Sequence, residues 1–165
     1  MVSVYRKSFG LFACNGILYN HESPRRGENF VTRKICRAAA AIKLGRQREL
    51  SLGDTSAKRD WGHAKDYVRG MWMVLQHPTP EDFIFATGQL HSVQDVVELA
   101  FAAVGLDWQK FLKRDQRLMR PTESHSLVGD PAKAQKVLGW QREYKFADMI
   151  REMTLAELEA LKAGC

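Results

Sequence analysis

Short apolar runs alternate with stretches of helical period along the whole chain, and no other feature restricts its fold as strongly. LFACNGILYN (11 to 20), ELSL (49 to 52) and FIFA (83 to 86) read as strands, the first and last of them buried. The first nine residues read as the tail of a helix. A helical stretch after residue 28 carries Val31, Ile35, Ala38, Ala39 and Ile42 on one face and stops at Gly45. Another, from about Lys65 to Gln76, carries Val68, Met71, Trp72 and Leu75 and ends at HPTPED, where two prolines cannot continue it. A third runs from Val93 to Val104, with Ser92 and Asp95 as its capping pair and Gly105 as its stop. Two more helices follow, one from Asp130 as N-cap through Pro131 to Gly139, the other from Phe146 to about Lys162. Strands separated by helices favour α/β architecture with parallel pairing.

At 165 residues the chain is expected to form one unit with a core of its own. Apolar residues make up 45% and charged residues 27%, which excludes collagen-like, low-complexity and disordered classes. No apolar run approaches the ~20 residues needed to cross a bilayer, and MVSVYRKSFG lacks the apolar centre of a signal peptide. A cytoplasmic location without membrane partners is therefore expected. Cys14, Cys36 and Cys165 are odd in number and show no CxxC spacing, which argues against disulfides and a zinc site. His63, His77, His91 and His125 show no ligand spacing, so no metal is assigned. A net charge of +6 points to an anionic partner, and where the charges sit decides which kind.

Four segments are candidates. NHESPRRGE (20 to 28) follows a strand and precedes a helix, where α/β sheets place their ligand crevice. Two arginines forced together by a Pro-Gly turn can grip phosphate oxygens bidentately, and Asn20 and His21 can donate beside them. The same residues also make an ordinary solvated turn, with the arginines paired to Glu22 and Glu28. Lys34 stands on the first turns of the next helix and can reach the same anion, aided by the helix dipole, or be a plain surface lysine. In KRDWGHAKD (58 to 66), Arg59 beside Asp60 either forms a local ion pair or faces a phosphate, and Trp61 is expected to pack. In the segment from 120 to 140, Asp130, Pro131 and Gly139 are explained as helix ends, whereas Arg120 and Glu123, around the rigid Pro121, suit a phosphate and a sugar hydroxyl.

Absent motifs are as informative. No glycine-rich dinucleotide turn follows a leading strand, no G-x-S-x-G appears, and Tyr5, Tyr19, Tyr67 and Tyr144 lack a lysine four residues on. A complete redox active site cannot be assembled from these 165 residues.

FACNGILYNHESPRRGENFVTRKI, LGDTSAKRDWGHAKDYVRGMW, FATGQLHSVQDVVELAF and RPTESHSLVGDPAKAQKVLGW together resemble the C-terminal half of GDP-mannose 4,6-dehydratases, in the extended short-chain dehydrogenase/reductase superfamily. The likeness covers nearly all of residues 5 to 155 in unbroken order. It implies that Asn20, Val31, Lys34, Arg59, Arg120 and Glu123 line a GDP-sugar site, with Arg59 and Arg120 near the diphosphate, and that His21 and Arg26 contact NADP. It also implies the family reaction on GDP-mannose: oxidation at C4, loss of water across C5 and C6, and return of the hydride to C6, giving GDP-4-keto-6-deoxymannose. A C4 ketone acidifies the C5 hydrogen, which makes the elimination possible. The family's glycine-rich loop, catalytic Thr and Glu, and Tyr-Lys pair belong to a part that would precede Met1, so no catalytic residue carries over. The expected architecture is thus α/β: a C-terminal substrate-binding domain with the last strands of a Rossmann-type parallel sheet (about 11 to 18 and 83 to 86), the N-terminal Rossmann half missing. Residues 1 to 165 form a single partial unit, inactive alone and part of a homo-oligomer at full length.

Two other classes compete. One is a non-catalytic module that holds GDP-mannose or a GDP-deoxyhexose, or joins subunits. The other, a nucleic-acid binder, needs a continuous basic face, and here the cations fall in separate loops interleaved with Glu and Asp.

Overall fold

The computed structural model describes residues 1–119 and 126–164. The described elements are α1 (Val2–Phe9), β1 (Gly16–Leu18), β2 (Asn20–Glu22), α2 (Val31–Lys43), β3 (Leu50–Leu52), β4 (Lys58–Arg59), β5 (Trp61–His63), α3 (Ala64–Gln76), β6 (Phe83–Phe85), β7 (His91–Ser92), α4 (Val93–Ala103), β8 (Leu112–Arg114), α5 (Ala132–Leu138) and α6 (Phe146–Lys162). The strands pair two by two: β1 with β6, β2 with β5 and β3 with β8 are parallel, and β4 with β7 is antiparallel. The α/β reading with parallel pairing holds. None of the described helices is long and apolar enough to cross a membrane.

The main core is helical. α2 lies against both α4 and α6, which also touch each other. Alanines at 38 to 41 bury on α2 because small side chains let neighbouring backbones approach from more than one side. Ile35 and Ile42 from α2, Val96, Val97 and Phe101 from α4, and Met149, Ile150 and Met153 from α6 fill the centre, with Leu50 and Leu52 of β3 beneath. At α4 the capping pair forms as expected: Ser92 Oγ accepts from Asp95 N at 3.1 Å and Asp95 Oδ2 from Ser92 N at 2.8 Å. Asp130 Oδ1 accepts from Ala132 N at 2.9 Å, although Pro131 occupies the N-cap. Burial pushes the Cys36 thiol up to about 12, so it is an inert core group.

A smaller cluster of Tyr67, Val74, Phe83, Phe85, Ala134 and Trp140 holds the β1/β6 side together. Here three expectations fail. Residues 11 to 20 are not one buried strand. Among the described residues β1 pairs only with β6 and is largely exposed, with Ile17 at 51%, and after Tyr19 the chain steps across to pair with β5 as β2. Consequently 20 to 22, expected in a loop, are strand. On α3 the stripe of Val68, Met71, Trp72 and Leu75 faces outward, Trp72 at 62% and Leu75 at 64%, while Asp66, Tyr67, Gly70 and Val74 are buried. Gly70 sets that orientation: a Cβ there would collide with the Phe85 ring, so the glycine face lies against β6. The two- and three-residue ladders β4, β7 and β8 are too short for periodicity to reveal.

Candidate functional site

A cavity of about 540 Å³ opens where β2, the start of α2, the β3 end and β4 converge, within the usual range for small-molecule sites. Asn20 and Glu22 reach it from β2 because alternate residues of a strand share a face. The same alternation sends His21 the other way, where its ring tilts against Tyr67 at 5.5 Å. Its Nδ1 lies 3.0 Å from Tyr19 O. A carbonyl only accepts, so in the neutral ring this contact puts the proton on Nδ1 and leaves Nε2 as an acceptor.

The turn from Ser23 to Gly27 is closed by Arg26 N donating to Ser23 O at 2.9 Å and by Arg25 N donating to Ser23 Oγ at 3.1 Å. It returns Arg26 to the cavity, where the guanidinium lies 3.4 Å from the Phe30 ring centre. Arg33 Nη1 donates to Arg26 O at 2.6 Å, and Arg33 Nε to Glu157 Oε1 of α6 at 2.6 Å, which ties the turn to the helical core. Glu28 therefore pairs with Arg33, at 3.6 Å, and not within its own turn.

Phe30 is the N-cap of α2 and offers no side-chain acceptor, so the positive helix end, with Val31 and Thr32 at the cavity, is not neutralised by a cap. Lys34, one turn on, lines the cavity and donates from Nζ to Ser51 O at 3.0 Å. Arg59 lines it from β4. Its neighbour Asp60 is fully buried, and the carboxylate accepts from Thr87 N (2.9 Å), Thr87 Oγ1 (2.6 Å), Gly88 N (3.0 Å) and Gly129 N (3.2 Å). Asp60 O accepts from Asn20 Nδ2 at 3.2 Å, which leaves the Asn20 amide oxygen directed elsewhere. Leu52, Ala57, Val93 and Leu118 give the cavity an apolar wall with Trp61, whose ring stacks on Phe146 at 6.0 Å.

Of the residues singled out in the sequence, Asn20, Arg26, Val31, Lys34 and Arg59 share this one cavity, and His21 lies behind it. Arg120 and Glu123 fall outside the described residues. Three cations from separate segments, a positive helix end and an apolar wall suit a ligand with phosphates at one end and a ring at the other. Sequence reasoning missed Glu22 and Thr32 as cavity residues. Strand alternation from Asn20 would have found the first had 20 to 22 been read as strand.

The sequence profile of the family described as GDP-mannose 4,6 dehydratase matches residues 1–153. GDP-mannose 4,6 dehydratase 2 of Arabidopsis thaliana is 50% identical over 96% of this chain and 42% of its own length. The Homo sapiens GDP-mannose 4,6 dehydratase is 46% identical over 97% of the chain and 48% of its own. The chain thus spans about half the length of the curated relatives it matches. In fold it is similar to RMD from Pseudomonas aeruginosa, solved with NADPH, at a TM-score of 0.87 and 20% identity over 96% of this chain and 52% of that one.

Proposed function

The chain belongs to the GDP-mannose 4,6-dehydratase family, and on that footing we propose that it carries the nucleotide-sugar-binding half of a lyase that converts GDP-mannose to GDP-4-keto-6-deoxymannose. The observation that carries this reading is the convergence of Arg26, Lys34 and Arg59 with Asn20 and Val31 on one cavity. Arg59 and Lys34 neutralise the diphosphate, and Asn20 accepts from the ligand through its amide oxygen. Val31 and the apolar wall pack the base and sugar, and Arg120 and Glu123 complete the site as phosphate and hydroxyl contacts.

NADP is the proposed cofactor. Arg26 and His21 fit it in donor and acceptor type: Arg26 Nε is buried without a hydrogen-bond partner among the described residues, and His21 keeps Nε2 as an acceptor for a hydroxyl. When bound, such a cofactor takes a hydride from the sugar and gives one back. His21 and Arg26 hold it from this side, while the glycine-rich loop and the proton-transfer residues come from a preceding Rossmann half of the kind that accounts for the relatives' greater length. The exposed β1 and the outward stripe of α3 support a larger sheet and helix layer around them. Residues 1 to 165 are then one partial unit, inactive alone and homo-oligomeric at full length.

Calorimetry tests this. GDP binding that needs an added dinucleotide-binding half, with GDP-mannose turnover appearing only in that mixture, supports the reading; turnover by the 165-residue chain alone overturns its inactivity. A second reading, a non-catalytic GDP-sugar module, has one observation in its favour: three cations are already placed without any further segment. Tight GDP binding by the chain alone selects it.

A further inference from the structure

Among the acidic residues that line the cavity, Glu22 is unusual. A carboxylate in a site for phosphates repels its ligand, and this one is only 1% exposed. Thr32 Oγ1 donates to Glu22 Oε2 at 2.5 Å, which fixes that side chain between β2 and α2. Arg26 Nε lies 3.3 Å from the same oxygen, an ion pair without the alignment of a hydrogen bond. On its other side the Arg26 guanidinium is stacked on Phe30, and its backbone carbonyl is held by Arg33.

We propose that Glu22 is a positioning residue: its Thr32-anchored carboxylate and the Phe30 ring hold Arg26 between them, so that the cavity presents a fixed guanidinium to a phosphate group. The inference rests on the reading that this cavity takes phosphate-bearing ligands. The phosphate can belong to a nucleoside diphosphate or to a dinucleotide; the contact chemistry is the same. Burial raises the Glu22 carboxyl pKa despite the opposing effects of Thr32, Arg26 and His21, so ionising it inside the fold costs more than its partners return. What the pair supplies is geometry, because a guanidinium already in place loses less side-chain freedom when a ligand arrives.

The test is Glu22→Gln beside Arg26→Gln in the full chain. Glutamine keeps an oxygen for Thr32 but removes the negative charge that pairs with Arg26. The expected result has two parts: Glu22→Gln holds or raises the melting temperature at pH 7, while the slowly exchanging Arg26 side-chain N–H signal in a ¹⁵N spectrum collapses to a mobile one. With GDP and with NADPH as separate probes, each added with a dinucleotide-binding half where binding needs it, affinity falls about tenfold in Glu22→Gln for whichever ligand Arg26 meets. An unchanged Arg26 signal overturns the proposal, as does an affinity that Arg26→Gln weakens and Glu22→Gln does not. If Arg26→Gln leaves both ligands unaffected, the phosphate reading of Arg26 fails, and the Arg26 signal alone then decides whether Glu22 positions it.

Discussion

The helical core and the β1/β6 side of this molecule are built from similar residue types and finish very differently. The first gathers eighteen buried apolar residues from α2, α4, α6 and the strands beside them into one cluster. The second gathers six, and α1, tied to it through the Arg6–Asp82 pair, buries none of its eight residues. Around the second lie Leu11, Phe12, Ile17, Val68, Trp72 and Leu75, all exposed. One region satisfies its own apolar surface; the other satisfies a single face of each element. A chain can thus contain a finished core and an unfinished layer side by side, with the candidate cavity on the finished side.

The comparison breaks most visibly in the core. Phe101→Ala removes a fully buried ring from the larger cluster and is expected to cost about 3–5 kcal/mol in denaturant unfolding. Trp72→Ala, an equally drastic truncation on α3, is expected to stay within about 0.5 kcal/mol and to reduce self-association in sedimentation. Equal losses would show that the α3 stripe is already covered in the native state.

Gly70→Ala should cost about 1–3 kcal/mol, because the added methyl meets the Phe85 ring and α3 must shift. Hydrogen exchange is expected to accelerate on α3 and β6 while α2, α4 and α6 keep their protection, which shows whether the two regions open separately.

Titration divides the smaller side itself. Asp66, on the smaller side, is buried; its oxygens accept from Glu143 N at 3.1 Å and Tyr144 N at 3.2 Å, and burial raises its carboxyl pKa above 3.8 despite those donors. A raised acid favours folding while protonated, so its contribution is complete below 3.8 and is lost as pH rises through the folded value. Asp82, which pairs with Arg6 and accepts from Asn15 N at 2.8 Å, does the opposite: these donors hold it down at about 2, so its contribution is lost as pH falls from its ordinary 3.8 through that value. Thermal melts of Asp82→Asn are expected to match the parent near pH 2 and to fall slightly below it at pH 5, the smallest of these effects because Asp82 is partly exposed.

Sequence periodicity revealed what the chain arranges locally. The α2 face of Ile35, Ala38, Ala39 and Ile42 and the Ser92 capping box depend on residues a few positions apart, the preference for parallel pairing on the alternation of strands with helices, and all are present. Lys34 and Arg59 were legible as cations in separate segments, whereas only the family resemblance implied that they and Asn20 meet in one site. On α3, by contrast, two faces qualify by spacing, and the choice fell to a packing contact between Gly70 and Phe85, fifteen positions apart in the chain. The step from β1 to β2 is equally non-local, because β6 claims residues 16 to 18 of the apolar run and β5 the polar residues 20 to 22.

Asp60 has a consequence for how such a chain can change. One carboxylate collects donors from Thr87, Gly88 and Gly129, so three stretches far apart in the gene, around positions 60, 87 and 129, are tied to one another. Recombination that imports a relative's residues 80 to 130 while leaving position 60 without an acid would strand those N–H groups in a dry interior. The three stretches are therefore heritable only as a set, and a crossover that respects the set should be tolerated where one that splits it is lost.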